Sequence, residues 1–138
     1  MTEAQKKKVG IISCSGEGCV EGTISRVATR LVLGKLRPIE TVTICLPLFL
    51  AGGREEREFA RDYPTITVDG CDKMCAKIAT ERYSGKPASS IVVADMLKNW
   101  QCPKLSSRRE LNDETLAVAR KVANRIAEEV DEVLKHWV

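Results

Sequence analysis

The residues equipped for chemistry in this 138-residue chain are six cysteines, at positions 14, 19, 45, 71, 75 and 102, beside a single histidine, His136. The densest stretch is Val68-Asp69-Gly70-Cys71-Asp72-Lys73-Met74-Cys75. Ile66-Thr67-Val68 reads as a strand, Asp69-Gly70 as a turn pair, and Asp72 to Tyr83 as a helix. Cys71 then ends a strand, and Cys75 sits on the first turn of a helix. Residues four apart on a helix share a face, with Cβ atoms roughly 5–6 Å apart. Two sulfurs on one tetrahedral Zn²⁺ need about 3.8 Å, given Zn–S bonds of about 2.3 Å, and side-chain rotation closes that difference. A helix N-terminus also favours the thiolate. The competing reading is two small residues packing a first turn. Asp69 reads either as a partner or base for these thiols or as a simple turn former.

The apolar pattern marks out the elements that must hold these sulfurs. Val9 to Ser13 is a short buried strand ending in the turn-rich loop Cys14-Ser15-Gly16-Glu17-Gly18-Cys19. Thr23 reads as the N-cap of a helix carrying Ile24, Val27, Ala28, Leu31 and Val32, stopped by Gly34 and Pro38. Thr41 to Ile44 is a second strand delivering Cys45-Leu46-Pro47, and Leu48 to Gly53 reads as an apolar loop. Arg54 to Tyr63 is a charged helix with Phe59, Ala60 and Tyr63 on one side, ended by Pro64. Thr65 to Val68 is the third strand. The helix after it turns Met74, Ile78 and Ala79 inward. Ser90 to Ala94 is a fourth strand with Asp95 at its end, and the less regular Met96 to Arg109 carries Cys102-Pro103.

The longest helix starts near Asp113, capped by Asn112 or Asp113. Its apolar face is Leu116, Ala119, Val122, Ala123, Ile126, Val130, Val133, Leu134 and Trp137, and it is expected to cover strands one and four. His136 suits the role of a helix-end cation rather than a ligand.

Strands alternate with helices four times, and the strands are unbroken apolar runs. That pattern predicts an α/β fold: a single-domain three-layer sandwich with a mainly parallel four-stranded sheet. A parallel sheet sends every carboxyl end to one rim, where open α/β sheets bind ligands. Cys14, Cys45 and Cys71 follow strands one to three, Cys102 lies in the loop after strand four, and Cys19 and Cys75 stand one step further along the same rim. Structural cysteines would scatter, so the placement favours a thiolate site.

Other chemistries at that rim fit less well. Gly16-Glu17-Gly18 with Gly22 is not G-x-G-x-x-G, and Glu17 and Glu21 would repel a pyrophosphate. A phosphatase-type loop needs a closing arginine, but Val20, Ile24 and Ser25 occupy the relevant places. No C-x-x-C is present. Lys73 and Lys77 read as a solvated helix face, and Asp95 carries the same alternatives as Asp69, a partner or base for the thiols or a simple turn former.

Composition bounds the rest. The chain is 43% hydrophobic and 30% charged, ordinary for a globular protein of one domain. A net charge of +3 and six aromatic residues give neither a nucleic-acid footprint nor a stacking platform. No apolar run reaches membrane-span length. Residues 1–8 read as a flexible, charged leader, and Lys6-Lys7-Lys8 before the short Val9–Ile12 run does not make a signal peptide. The expected location is cytoplasmic, where cysteines bind metals or do chemistry more often than they form disulfides.

Three motifs together carry a resemblance. Cys14-Ser15-Gly16, Cys45-Leu46-Pro47 with Ala51-Gly52-Gly53, and Asp69-Gly70-Cys71 with Cys75-Ala76-Lys77 resemble the successive motifs of the DGC-domain family, small cysteine-rich proteins described as zinc-binding. The similarity runs from about Val9 to the fourth strand. It implies zinc ligands at Cys14, Cys45, Cys71 and Cys75, and makes Cys19 and Cys102 additions to the pattern. Two functions follow as expectations. One is a zinc-binding module with a closed tetrahedral site and no nucleic-acid or membrane partner. The other is a redox or sulfur-transfer protein using an iron–sulfur cluster or a reactive thiolate at Cys19 or Cys102.

Overall fold

The computed structural model describes residues 8–16, 18–106 and 108–136; the leader before Lys8, Glu17 and Trp137 lie outside the described residues. Four strands, β1 (Val9–Ser13), β2 (Thr41–Thr43), β3 (Thr65–Asp69) and β4 (Ser89–Val92), pair only in parallel, in the order β2-β1-β3-β4. Among the described residues, six α-helices accompany the strands: α1 (Val20–Leu31), α2 (Leu46–Leu50), α3 (Arg54–Asp62), α4 (Cys75–Tyr83), α5 (Val93–Asn99) and α6 (Asp113–His136).

Both sheet faces are covered, which explains the unbroken apolar strands. On one face Val9, Ile11, Ile66, Val68 and Ile91 pack with Ile24 and Ala28 of α1, Leu97 of α5, and Val122 and Ile126 of α6. On the other, Ile12 packs with Phe49 of α2, Phe59 of α3, and Ala76 and Ala79 of α4. Successive residues of a strand point to opposite faces, so Ile11 and Ile12 serve different layers.

Several expectations change on contact with the structure. Helix α1 begins at Val20 with Cys19 as its N-cap, not at Thr23. Thr23 is buried, and its one hydroxyl proton is shared between the Arg108 carbonyl (2.6 Å) and the Gly16 carbonyl (3.0 Å), tying two loops together. Gly34 does not stop the helix. Val32 to Leu36 continue as a widened turn, closed by Arg37 N–H on the Val32 carbonyl at 2.8 Å.

The Leu48–Gly53 loop is partly helix α2, which Pro47 fits at its start. Ile78 does not face inward. It is 48% exposed, and Ala76, Ala79 and Thr80 line the buried side of α4. Strand β4 ends at Val92, so Val93 and Ala94, read as strand, instead open helix α5, which runs on into the stretch read as irregular. Helix α6 packs chiefly against α1 and only secondarily against β1. Its cap is as read: Asn112 Oδ1 accepts from the Thr115 amide at 2.9 Å.

Candidate functional site

The strand order reverses direction at β1. The chain leaves β1 for β2 on one side and returns to β3 on the other, so the carboxyl ends of β1 and β3 flank a topological switch point, the usual ligand crevice of such sheets. Cys14 follows β1 there, and Gly70-Cys71 follows β3. The Gly70 amide donates to Cys14 Sγ at 3.4 Å, and Ser25 Oγ lies 3.2 Å from the same sulfur. Ser25, fully buried on α1, donates its own proton to the Gly22 carbonyl at 2.6 Å. Cys14 Sγ therefore rests between a backbone amide and a buried hydroxyl, whose proton can turn to a sulfur that has lost its own.

Gly70 is the hub of this crevice. Besides its bond to Cys14, its carbonyl accepts from the Ala94 amide at 2.9 Å, which fixes the start of α5. A Cβ on Gly70 would overlap the amide nitrogen and Cα of Gly22 and lie 2.7 Å from the carbonyl carbon of Glu21. Gly22 in turn abuts Gly16, whose φ of 72° favours glycine. Three glycines thus let the loop after β1, the first turn of α1 and the loop after β3 touch at backbone distance.

Asp69 closes the second half of the motif. It is 2% exposed, and its Oδ1 and Oδ2 accept from the amides of Ala76 (2.7 Å) and Lys77 (3.0 Å). Both carboxylate oxygens thus satisfy amides of the first turn of α4. Burial pushes this carboxyl above the usual carboxylate range, against the smaller opposing pull of the two amides and Lys77. The segment between, Cys71 to Met74, is a turn rather than the start of the helix, so Cys71 and Cys75 do not share a helix face as their spacing suggested. Met74 enters α4 in the left-handed conformation, φ 50° and ψ 47°, which costs a residue with a side chain of order 1–3 kcal/mol unless its surroundings hold it. The Asp69 bonds supply that hold.

The remaining thiols differ in setting. Cys45 precedes α2 and is exposed, as is Cys75 at the first position of α4. Cys19 is half-buried at the N-cap of α1. Burial pushes its thiol up, the Gly22 amide opposes, and Glu21 and Cys71 add to the rise.

Cys102 has a structural explanation. Its amide bonds the Leu97 carbonyl (2.9 Å), the Gln101 amide bonds the Lys98 carbonyl (3.0 Å), and Gln101 is left-handed at φ 54°. This is the Schellman ending of α5, with Cys102 at the position whose side chain packs back on the helix. It lines a cleft of about 280 Å³ with Leu97, Val20 and Glu21. Asp95 is exposed in the first turn of α5, Lys77 pairs with Glu81 at 3.9 Å, and His136 lies 3.7 Å from Glu132 at the end of α6.

The donor chemistry suits a soft, thiophilic ion. Among the described residues, however, no three Cys, His, Asp or Glu side chains converge as a ready metal group. Cys14 and the Cys71 segment meet at the switch point, while Cys45 and Cys75 are exposed. Reading the sequence overlooked Ser25 and the structural role of Gly22. The available signal was a serine on the buried face of α1, one position from Ile24.

A family model described as the DGC domain matches residues 10–122, which takes in the sheet and the first part of α6. No curated protein and no solved structure matches the chain. A match across most of the chain, over the three cysteine motifs gathered at one rim, means that the chain belongs to the DGC-domain family.

Proposed function

We propose that this is a cytoplasmic metal-binding protein whose thiolates Cys14, Cys45, Cys71 and Cys75 hold a zinc ion at the carboxyl rim of the sheet. The observation that carries the reading is the Gly70 hub: one amide bonds Cys14 Sγ at 3.4 Å while the next residue is Cys71, at the switch point of the sheet. Cys45 and Cys75 are exposed, each at the start of the helix that follows its strand on the same rim. Four thiolates would close the tetrahedron, making the site structural or a metal store rather than a hydrolytic centre. Ser25 and the Gly70 amide would orient Cys14 from behind, and Asp69 would hold the Cys71–Cys75 loop.

Metal stoichiometry of single variants tests the ligand set. Cys71→Ser and Cys75→Ser should each abolish stoichiometric zinc, because serine is a hard, weakly ionising donor. Cys102→Ser should keep it, since Cys102 ends α5. Equal losses from all three would mean that the ligand set is wrong and would favour a larger cluster.

A second reading, an iron–sulfur or reactive-thiol protein in redox or sulfur transfer, draws on one observation: Cys14 Sγ accepts from the Gly70 amide and lies 3.2 Å from the buried Ser25 hydroxyl, a setting that suits a thiolate nucleophile as well as a metal ligand.

A further inference from the structure

Cys19 is the half-buried thiol that the four-cysteine zinc reading leaves without a role. It caps α1, whose first turn contains Glu21 and Gly22. That turn is in backbone contact with Gly70, where a Cβ would overlap Gly22 and press on Glu21. Cys71 is the next residue after Gly70 and is likewise half-buried, so solvent-borne reagents reach both thiols. The contact is held from three sides: by the Cys14–Gly70 bond, by the Ala94–Gly70 bond, and by Thr23, which anchors the loop before α1.

We propose that Cys19 and Cys71 are a dithiol modification site that takes low-molecular-weight disulfides, and that closing it withdraws Cys71 from the metal. The step is thiol–disulfide exchange. One of the two thiolates attacks a sulfur of the small disulfide, forms a mixed disulfide and expels one small thiolate. The second protein thiolate then attacks the protein-side sulfur, forms the Cys19–Cys71 bond and expels the other small thiolate. Two electrons pass from the dithiol to the small disulfide, and the two protons leave with its thiols. The withdrawal of metal rests on the zinc reading; the disulfide does not.

The experiment uses the full chain with oxidised glutathione as the probe. Reduced, metal-free protein is oxidised, blocked, digested without reductant and mapped by mass spectrometry. The expected product is a Cys19–Cys71 linked peptide. Zinc-loaded wild type should release its metal in step with that peptide, while Cys19→Ser should load zinc normally and retain it under the same treatment. Linkage dominated by Cys14–Cys71 or Cys71–Cys75, or glutathione adducts without a cross-link, overturns the proposal. So does zinc loss from Cys19→Ser at the wild-type rate. Mapping on wild type decides the disulfide even if the variant misfolds. A wild type that binds no zinc refutes the metal reading alone and leaves the mapped linkage to stand or fall by itself.

Discussion

Asp69 gives both carboxylate oxygens to the amides that open α4, and the loop bearing Cys71 and Cys75 hangs from those two bonds. Asp69→Ala should cost about 2–3 kcal/mol, as expected for loss of hydrogen bonds to a charged group, read from urea unfolding with an unchanged m-value. Burial raises this carboxyl, so the folded chain holds the proton more tightly than the unfolded chain. Its contribution to stability is therefore greatest at low pH and falls as pH rises through the window just above the ordinary carboxylate range. Asp69→Asn should flatten that fall in a pH series of unfolding curves. Ser25 acts on Cys14 in the same local way. Ser25→Ala should weaken zinc binding roughly 10–100-fold in a chelator competition, the usual effect of losing a partner behind a ligand. Asp69 read in the sequence as a partner of the thiols or a turn former, not as the residue that holds the first turn of α4, because its partners lie seven and eight residues on and no local pattern announces them.

At the scale of elements, β1, β2 and β3 were legible because β-branched runs bounded by turn residues have few other readings. The β4–α5 boundary was not, since Ile91 to Ala94 is a short continuous apolar run without periodicity. Helix α2 has five residues, too few to show a helical period, and its glycine pair disguised it as loop. The start of α1 was missed because its cap is a cysteine, outside the favoured N-cap residues. The junction of α1 with the loop after β3 depends on Gly70. Gly70→Ala would drive a Cβ into the Gly22 backbone, which cannot rotate away as a side chain could. It should destabilise by about 1–3 kcal/mol or more, in the range of overpacking substitutions. A circular-dichroism melt at wild-type temperature would remove Gly70 from its place as the hub.

The whole molecule is a parallel sheet that delivers thiols to one rim and buries both of its faces under apolar layers. The sandwich and the rim followed from alternation of strand and helix alone. The strand order, and hence which cysteines share the switch point, depends on tertiary packing that periodicity does not encode. Helix α6 is part of that packing through Val122, Ile126 and Val130, all fully buried against α1 and the sheet. Truncation before Asp113 should give insoluble or unfolded protein, since burying one such side chain is worth roughly 1.5–3 kcal/mol against a total of about 5–15 kcal/mol; a cooperatively unfolding truncate would contradict this. Zinc and iron–sulfur centres share thiolate ligands. The ligands proposed here come from separate strand ends, an arrangement that a single ion satisfies more easily than a cluster. The most direct test is analysis of anaerobically purified full-length protein for zinc, iron and acid-labile sulfide, with its visible spectrum. A colourless protein with zinc equimolar to the chain is the predicted result, and iron with sulfide in near-equal amounts, both in excess over the chain, would contradict it.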